Sequence, residues 1–364
     1  MSNLTRISLP RTNVFKSPLR IVSIGGGTGL STLLSGLKKH ARGVGEEPKP
    51  GSPIVDITAV VTVSDDGGSS GRLRRDFAIL PPGDIRNCMT ALSEDEHLLS
   101  RLFRYRFASG RGLKGHSFGN LFLTAMHQIT GDFAHAVKLS SEILAIRGRI
   151  FPATSANVSL EAVLEDGSIM RGESKISKSR QPIRSIRLVP ETCDPLAETL
   201  EAISKADLIT LGPGSLFTSV IPNVLVRGIA EAIDRSPALK VYFVNLMWQP
   251  GETINFSASH HVEVLHEHAR CRFTDCVVLN AATIPAALKR KYARARVKPV
   301  ENDFAKLEQL GLRVVTADLV GETVLNKVRH DPAALADVVI DLASRSRAHQ
   351  VRKQALATQP RRIR

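Results

Sequence analysis

Cysteine is scarce in this sequence, with four residues among 364 and none in a CxxC pair. So few cysteines exclude a disulfide scaffold, and we expect Cys88, Cys193, Cys271 and Cys276 to be reduced thiols in a cytoplasmic protein. A chain of this length buries roughly 75% of its unfolded surface, so its core needs no disulfide or metal to hold it together.

Long apolar runs are also missing. No stretch approaches the ~18 consecutive apolar residues of a membrane-spanning helix, so we expect no membrane span. The N-terminus lacks the apolar stretch of about 7–15 residues that marks a signal peptide, so we do not expect export.

Aromatic residues make up only 5% of the chain, although its net charge is +14. A protein that binds single-stranded nucleic acid usually combines a basic groove with interleaved aromatics, so nucleic acid is not the expected partner. The charge also lies mostly at the ends. Residues 1–20 carry four cations and residues 344–364 carry seven, neither with an acid, which leaves +3 for residues 21–343. We expect residues 1–19 to be a disordered basic tail and residues 344–364 to be a second basic, disordered tail.

Between the tails, apolar β-branched runs alternate with segments of helical period. This pattern predicts an α/β fold, a parallel sheet covered by helices, in a single domain over residues 20–343. Residues 84–147 carry few strand signals and are predicted to be a helical insertion. Residues 158–173 predict a hairpin around Asp166-Gly167, and 174–181 a mobile loop. The predicted strands are Ile21–Ile24, Ile54–Val63, Leu208–Leu211, Val241–Asn245, Val277–Asn280 and Arg313–Thr316.

The strongest functional signal is a glycine-rich turn between the first strand and a helix, in the segment IVSIGGGTGLSTLLSGL. Glycines let the backbone approach a ligand closely, and a helix N-terminus directs free N–H groups at an anion. The segment is neither a P-loop nor a dinucleotide fingerprint, because no GK[ST] follows and the last glycine of GxGxxG would fall at Leu30. It therefore predicts a phosphate or nucleotide site. The candidate ligand-binding residues are Gly25, Gly26, Gly27, Thr28 and Gly29.

A second polar segment, VTVSDDGGSSGRLRRDF, follows the second predicted strand. Asp65 and Asp66 could hold a ribose hydroxyl or a magnesium ion, and Ser69 and Ser70 could form a second anion nest. A plain surface turn is the alternative, since Asp and Gly are common in turns.

Two helix starts add further candidates. Asp84 could cap a helix that begins near Ile85, with Arg86 and Asn87 in its first turn. In GHSFGNLFLTAM, His116 and Asn120 could meet a phosphate, and His116 could act as an acid or base, or simply cap the helix.

The later strands supply the remaining candidates. Gly212, Gly214, Ser215 and Thr218 form a second glycine turn, which would lie beside the first in a parallel sheet. Asn245 ends another predicted strand, and Gln249 to Thr253 would line the same edge. Tyr292 lies in a basic run that is either a solvated face or a contact for a nucleobase, in which case Arg329 could close the same pocket. The histidines of residues 259–268 predict a solvated helix, because their spacing does not place four metal ligands on one face.

With these segments in order, the sequence resembles the YvcK branch of the CofD-like family over roughly residues 20–340. The motifs that carry the resemblance are GGGTGLS, TVSDDGGSSGRLR, PPGDIRNC, GHSFGNLF, LGPGSLFTS and NLMWQPGET. The resemblance implies a three-layer, Rossmann-like fold that binds UDP-N-acetylglucosamine, with a role in cell shape and cell-wall growth on gluconeogenic carbon sources. The CofD relatives are transferases that move a phospho-lactyl group onto a deazaflavin precursor.

Two interpretations from different classes therefore stay open. The first is a nucleotide-sugar sensor that acts on cell-wall or regulatory protein partners without turnover. The second is a phosphotransferase of CofD type that acts through Asp65, Asp66 and Mg²⁺. No catalytic residue and no resident metal site is assigned, and assembly into a homo-oligomer stays open. A nicotinamide oxidoreductase is disfavoured by the missing third glycine.

Overall fold

Seven parallel strands form the central sheet of this computed structural model, which describes residues 17–42, 54–93, 98–179, 181–321 and 327–357. The order across the sheet is β10-β9-β8-β7-β1-β2-β3. The strands of the described chain are β1 (Leu19–Gly25), β2 (Val55–Val61), β3 (Arg149–Pro152), β4 (Ser159–Leu164), β5 (Ile169–Arg171), β6 (Ile183–Val189), β7 (Leu208–Leu211), β8 (Leu239–Phe243), β9 (Cys276–Asn280) and β10 (Arg313–Ala317).

Helices flank this sheet, as the alternating pattern predicts, and the fold is Rossmann-like. Helix α1 packs on α3 and α14, while α8 packs on α10. The helices are α1 (Gly27–Leu37), α2 (Gly68–Phe77), α3 (Gly83–Leu92), α4 (Leu98–Arg104), α5 (Phe118–Thr130), α6 (Phe133–Ile143), α7 (Glu173–Ile176), α8 (Ala197–Lys205), α9 (Ile221–Val224), α10 (Ile229–Arg235), α11 (Ala258–Ala269), α12 (Ala286–Arg294), α13 (Phe304–Gln309) and α14 (Pro332–Ala357). A π-helical turn, Leu216–Val220, precedes α9, and a 3₁₀ turn, Lys38–His40, follows α1.

The inner strands are buried on both faces, which explains their nearly continuous apolar sequences. In β1 every residue except Arg20 is buried, and β7 is buried throughout. The largest fully buried side chains include Tyr242 and Phe243 of β8 and Phe217 of the π-helical turn. The six predicted strands are all present.

The sequence did not reveal β3, a four-residue strand that pairs with β2 and ends at Pro152. Residues 84–147 contain α3 to α6. The predicted hairpin is present as β4 and β5, which join β6 in a small antiparallel sheet. The predicted loop over residues 174–181 begins instead inside a helical turn, α7.

The expected C-terminal tail is wrong over most of its length, because α14 continues to Ala357. Arg347, only 9% exposed, donates hydrogen bonds to the carbonyl oxygens of Ser17 and Pro18 and to the Asp207 carboxylate. Helix α14 thus ties the end of the chain to the start of β1. Residues 1–16 and 358–364 lie outside the described part of the chain, and with them most of the expected N-terminal tail.

Candidate functional site

The first glycine turn lies where β1 ends and α1 begins. Gly27 has φ +61°, a conformation that side chains other than glycine rarely adopt. A Cβ atom on Gly26 would lie 2.6 Å from Thr62 Cγ2, and one on Gly29 would lie 2.2 Å from the carbonyl oxygen of Pro213. The first N–H groups of α1 have no partner within the helix, so the turn has the properties of an anion site.

The second glycine turn, residues 212–215, lies against the first one. Strand β7 pairs with β1 in parallel, so the two turns share the carboxyl edge of the sheet. Gly212 and Gly214 both have positive φ values. The Asn223 side chain, which the sequence analysis did not single out, donates to the Gly25 carbonyl oxygen at 3.3 Å.

Asp65 and Asp66 lie after β2, where Asp65 binds its own loop and Asp66 binds helix α7. The Gly67 N–H donates to Asp65 Oδ1 at 2.8 Å, and the Ser174 N–H donates to Asp66 Oδ1 at 2.8 Å. Ser70 hydrogen-bonds Asp65, whose pKa is raised by burial. In the described part of the chain, no three His, Cys, Asp or Glu side chains are placed to share a metal ion. A magnesium ion beside Asp65 and Asp66 would therefore need water or ligand phosphate oxygens for the rest of its coordination shell.

Asp84 does not cap its helix. Helix α3 begins at Gly83 after Pro82, with no side-chain cap, which places Asp84 in the first turn. Its carboxylate instead accepts the Gly27 N–H and a hydrogen bond from Asn87, and burial raises its pKa to about 6. Asp84 thus links the first glycine turn to α3, where Arg86 donates to the Asn87 side chain.

Three buried side chains join α2 to α5. Ser69 Oγ lies 2.9 Å from His116 Nδ1, and Asn120 Nδ2 donates to Ser69 Oγ at 3.1 Å. Because Ser69 Oγ accepts a hydrogen bond from Asn120, the Ser69 hydroxyl can donate to His116 Nδ1. The single proton of the neutral imidazole then lies on Nε2. Burial lowers the pKa of His116, so this imidazole is neutral at pH 7. The capping interpretation of His116 is wrong, since Ser117 caps α5 by accepting from the Asn120 N–H.

Two acids that the sequence analysis did not list as site residues lie at the same edge. Glu252 is 6% exposed, and burial raises its pKa to about 7. Burial, with Asp84 and Asp65 nearby, raises the pKa of Glu173 well above its usual range. Ser64 Oγ donates to Glu173 Oε2 at 3.3 Å. These carboxyl groups make this side of the edge acidic.

Glu252 belongs to a segment, residues 244–253 after β8, that we call the acceptor loop. It faces the second glycine turn: Thr218 Oγ1 donates to Glu252 Oε1 at 3.2 Å, and Gln249 Nε2 donates to Ser215 Oγ at 2.8 Å. Asn245 opens the same loop. The structure thus brings the candidates Ser215, Thr218 and Asn245 to one face of the edge.

Arg329 reaches the first glycine turn, and Tyr292 holds the residue beside it, Val328. Arg329 Nη1 donates to Thr28 Oγ1 at 2.7 Å, and the Tyr292 hydroxyl accepts the Val328 N–H at 3.2 Å. His330 anchors the same segment, by a hydrogen bond to the Val244 backbone. Residues 328–330 therefore bridge α12, α1 and the acceptor loop.

The histidines of α11 serve the fold, and the expectation of a solvated helix is wrong. His261 is fully buried and hydrogen-bonds the Ser257 carbonyl at 2.7 Å. His266 pairs with Thr274 Oγ1 at 2.9 Å, and His268 Nε2 accepts the Ile186 N–H at 3.1 Å.

Comparison with known proteins gives a consistent picture. The family model of CofD, described as 2-phospho-L-lactate transferase, matches residues 21–320. A gluconeogenesis factor of Bacillus subtilis is 49% identical over 324 residues, which cover 89% of this chain and 98% of that protein. One of Halalkalibacterium halodurans is 45% identical over 321 residues, which cover 88% of this chain and 95% of that one.

A solved structure is similar as well. The crystal structure of a Bacillus halodurans protein superimposes with a TM-score of 0.82 at 45% identity, covering 89% of this chain and 100% of that chain. A second crystal structure from that organism, with the same TM-score, is described as a member of the upf0052 family. Within the described residues no single helix is long and apolar enough to cross a membrane, although the bent pair Leu216–Val224 and Ile229–Arg235 passes by length and composition.

Proposed function

We propose that this chain, which belongs to the CofD family and to its branch of gluconeogenesis factors, binds UDP-N-acetylglucosamine at the carboxyl edge of its sheet. In this proposal it is a cytoplasmic regulatory protein. It reports the supply of a cell-wall precursor to protein partners and so affects cell shape and wall growth under gluconeogenic conditions. The names of its relatives support the metabolic setting, and the sequence resemblance supplies the ligand.

One observation carries the proposal: two glycine turns meet backbone to backbone at the end of neighbouring strands. Gly29 can approach the Pro213 carbonyl only because it has no side chain. The Gly27 N–H donates to Asp84. The N–H groups of the next two residues, Thr28 and Gly29, lie in the same first turn, where Arg329 donates to Thr28 Oγ1. Hydrogen bonds to a charged group contribute roughly 1.5–3 kcal/mol each, while the helix dipole adds only about 0.3–1 kcal/mol. A few such bonds to a diphosphate supply much of the roughly 8 kcal/mol of micromolar binding.

Gly29→Ala tests this site. The new Cβ would lie 2.2 Å from a backbone oxygen, so the two turns must separate and the N–H groups lose their alignment. We expect at least a hundredfold loss of UDP-N-acetylglucosamine affinity, measured by calorimetry on protein shown by circular dichroism to be folded. Ser35→Ala is the matched control in α1, because Ser35 Oγ bonds only within the helix, to the Thr32 carbonyl. Unchanged affinity in Gly29→Ala would remove the site from this edge.

A second candidate function, phosphate transfer of CofD type, is favoured by the Ser69–His116 pair, which the sequence alone did not indicate. A neutral imidazole that accepts a serine proton is the arrangement of an activated hydroxyl. The two functions separate in one experiment: the protein is incubated with UDP-N-acetylglucosamine and Mg²⁺, and products are sought by mass spectrometry. Product formation that Ser69→Ala abolishes would favour transfer over sensing.

A further inference from the structure

Three acceptor atoms of the acceptor loop have no hydrogen-bond partner in the described part of the chain. They are Asn245 Oδ1, Gln249 Oε1 and Glu252 Oε2, all three buried. Each side chain is otherwise held or enclosed: Gln249 by Ser215, and Glu252 by Thr218 and by Ser177 at 3.4 Å. Glu252 accepts at both oxygens in its ionised form, and because burial raises its pKa to about 7, a donor from a bound group would favour that form.

Buried polar atoms without partners are rare, because burial removes their hydrogen bonds with water. Three on one ten-residue loop, beside a candidate ligand site, indicate a group that supplies donors. Because the acceptor loop is hydrogen-bonded to the second glycine turn, a ligand group held between them would lie at the carboxyl edge of the sheet, beside the first glycine turn.

The two sides of this edge differ in polarity. At the start of α1 the turn offers N–H donors and Arg329, which suit phosphate. At the acceptor loop the surroundings include the carboxyl groups of Glu252 and Glu173, whose pKa values burial raises, so they offer hydrogen-bonding groups but no positive charge to pair with a phosphate. A neutral, hydroxyl-rich group satisfies the acceptor side without a charge conflict.

We propose that Glu252, Gln249 and Asn245 form the subsite for the sugar hydroxyls of the ligand, and so determine its preference for a nucleotide sugar over a bare nucleotide. This inference rests on the proposed function, which names the ligand. It adds which residues distinguish the sugar, and it predicts that they contribute nothing to the binding of the nucleotide.

The test is calorimetry on the full chain with UDP-N-acetylglucosamine, UDP and the 3-deoxy and 4-deoxy sugar analogues. Glu252→Gln weakens the acceptor while keeping the shape, and Gln249→Met removes one outright. We expect each to lower UDP-N-acetylglucosamine affinity about tenfold and to leave UDP affinity within about twofold. An analogue that lacks the contacted hydroxyl should bind wild type and variant equally. Ser177→Ala is the control, because Ser177 touches only the other Glu252 oxygen, Oε1.

The outcomes separate the two proposals. The sugar subsite is overturned if wild type binds UDP-N-acetylglucosamine no better than UDP, or if the deoxy analogues bind as well as the full sugar. The acceptor atoms would then hold only water, and the proposed nucleotide site would stand. If both variants weaken UDP as much as the sugar nucleotide, the loop has only a structural role. If neither ligand binds wild type, both proposals fall. Melting temperatures of both variants exclude unfolding as the cause.

Discussion

A single carboxyl group, that of Asp84, makes the first glycine turn sensitive to pH. Burial, and then the nearby Asp65, raise its pKa from 3.8 to about 6, so ionisation costs the folded state free energy. The stability linked to this group is complete below pH 3.8 and is lost as the pH rises through 6. Because one pKa unit corresponds to about 1.4 kcal/mol, the loss is about 2–3 kcal/mol.

Asp84→Asn should remove that loss. The amide oxygen can still accept the Gly27 N–H, but it does not ionise. We expect the variant to gain about 2–3 kcal/mol in unfolding free energy relative to wild type between pH 4 and pH 8. Urea unfolding at the two pH values measures the difference, with Asp132→Asn, on the exposed cap of α6, as a control. A pH-independent difference would show that Asp84 ionises as freely as in the unfolded chain.

Tyr292 stays a predicted contact of the uracil ring, and the structure adds a separate task for its hydroxyl. That hydroxyl holds Val328, next to Arg329. We expect Tyr292→Ala to lower UDP-N-acetylglucosamine affinity about 5- to 150-fold, the range for a lost base–aromatic stack. Tyr292→Phe, which keeps the ring, should lose less. A lower melting temperature with unaltered affinity in Tyr292→Ala would show that the ring only covers its helix.

Some residues at the site could be predicted from sequence and others could not, for a physical reason. Glycines and aspartates that directly follow a strand can be predicted from the local sequence, because the carboxyl ends of parallel strands meet at one edge of the sheet. Glu252 was predicted only as part of a segment, Gln249 to Thr253, that lines the edge. Its contact with Thr218, 34 positions away, and its burial exist only in the assembled fold. Likewise Ser69 and His116 looked separate until α2 and α5 packed together.

At the scale of elements, helix α14 includes residues 344–357 of the expected tail and supports the start of β1. Deleting residues 346–364 removes Arg347 and exposes its partner Asp207, which keeps only Arg20, at 3.0 Å. We expect that deletion to cost about 3–5 kcal/mol of unfolding free energy, the usual penalty for breaking a buried ion pair.

Deleting only residues 358–364 is the matched control for this prediction. It removes three arginines but leaves Arg347 in place. Both stability and ligand affinity should stay at the wild-type level, the affinity within about threefold, because charges in solvent are screened beyond ~8 Å. Equal stability of the two deletions, by urea unfolding, would mean that α14 does not hold β1.

Elements were predictable where their sequence pattern was long. The buried strands of the sheet are continuous β-branched runs, which tertiary packing does not override. Strand β3 is four residues long and ends in proline, so its pairing with β2 leaves no period to detect. The end of α14 was mistaken for disorder because residues 344–357 carry four cations and no acid, and because the buried partner of Arg347, Asp207, lies 140 positions away in the chain.

For the whole molecule, the sheet order brings together strands that lie far apart in the chain. β1 pairs with β2 and β7, and β7 follows β1 by about 180 residues. The helical segment and the small antiparallel sheet lie between them in sequence. The topology therefore brings distant motifs together at one edge. The prediction that the second glycine turn lies beside the first is confirmed, because β7 pairs with β1 in parallel.

The contact of α14 with Ser17 and Pro18 has a consequence for the order of folding. The first strand precedes its neighbour β7 by about 180 residues, and Arg347 of α14 lies 330 positions after Ser17. Contacts of such wide sequence separation close a large loop and form late. We therefore expect β1 to complete its pairing with β7, and the two glycine turns to meet, late in folding, and a chain without α14 to lack the contact that Arg347 makes at the start of β1.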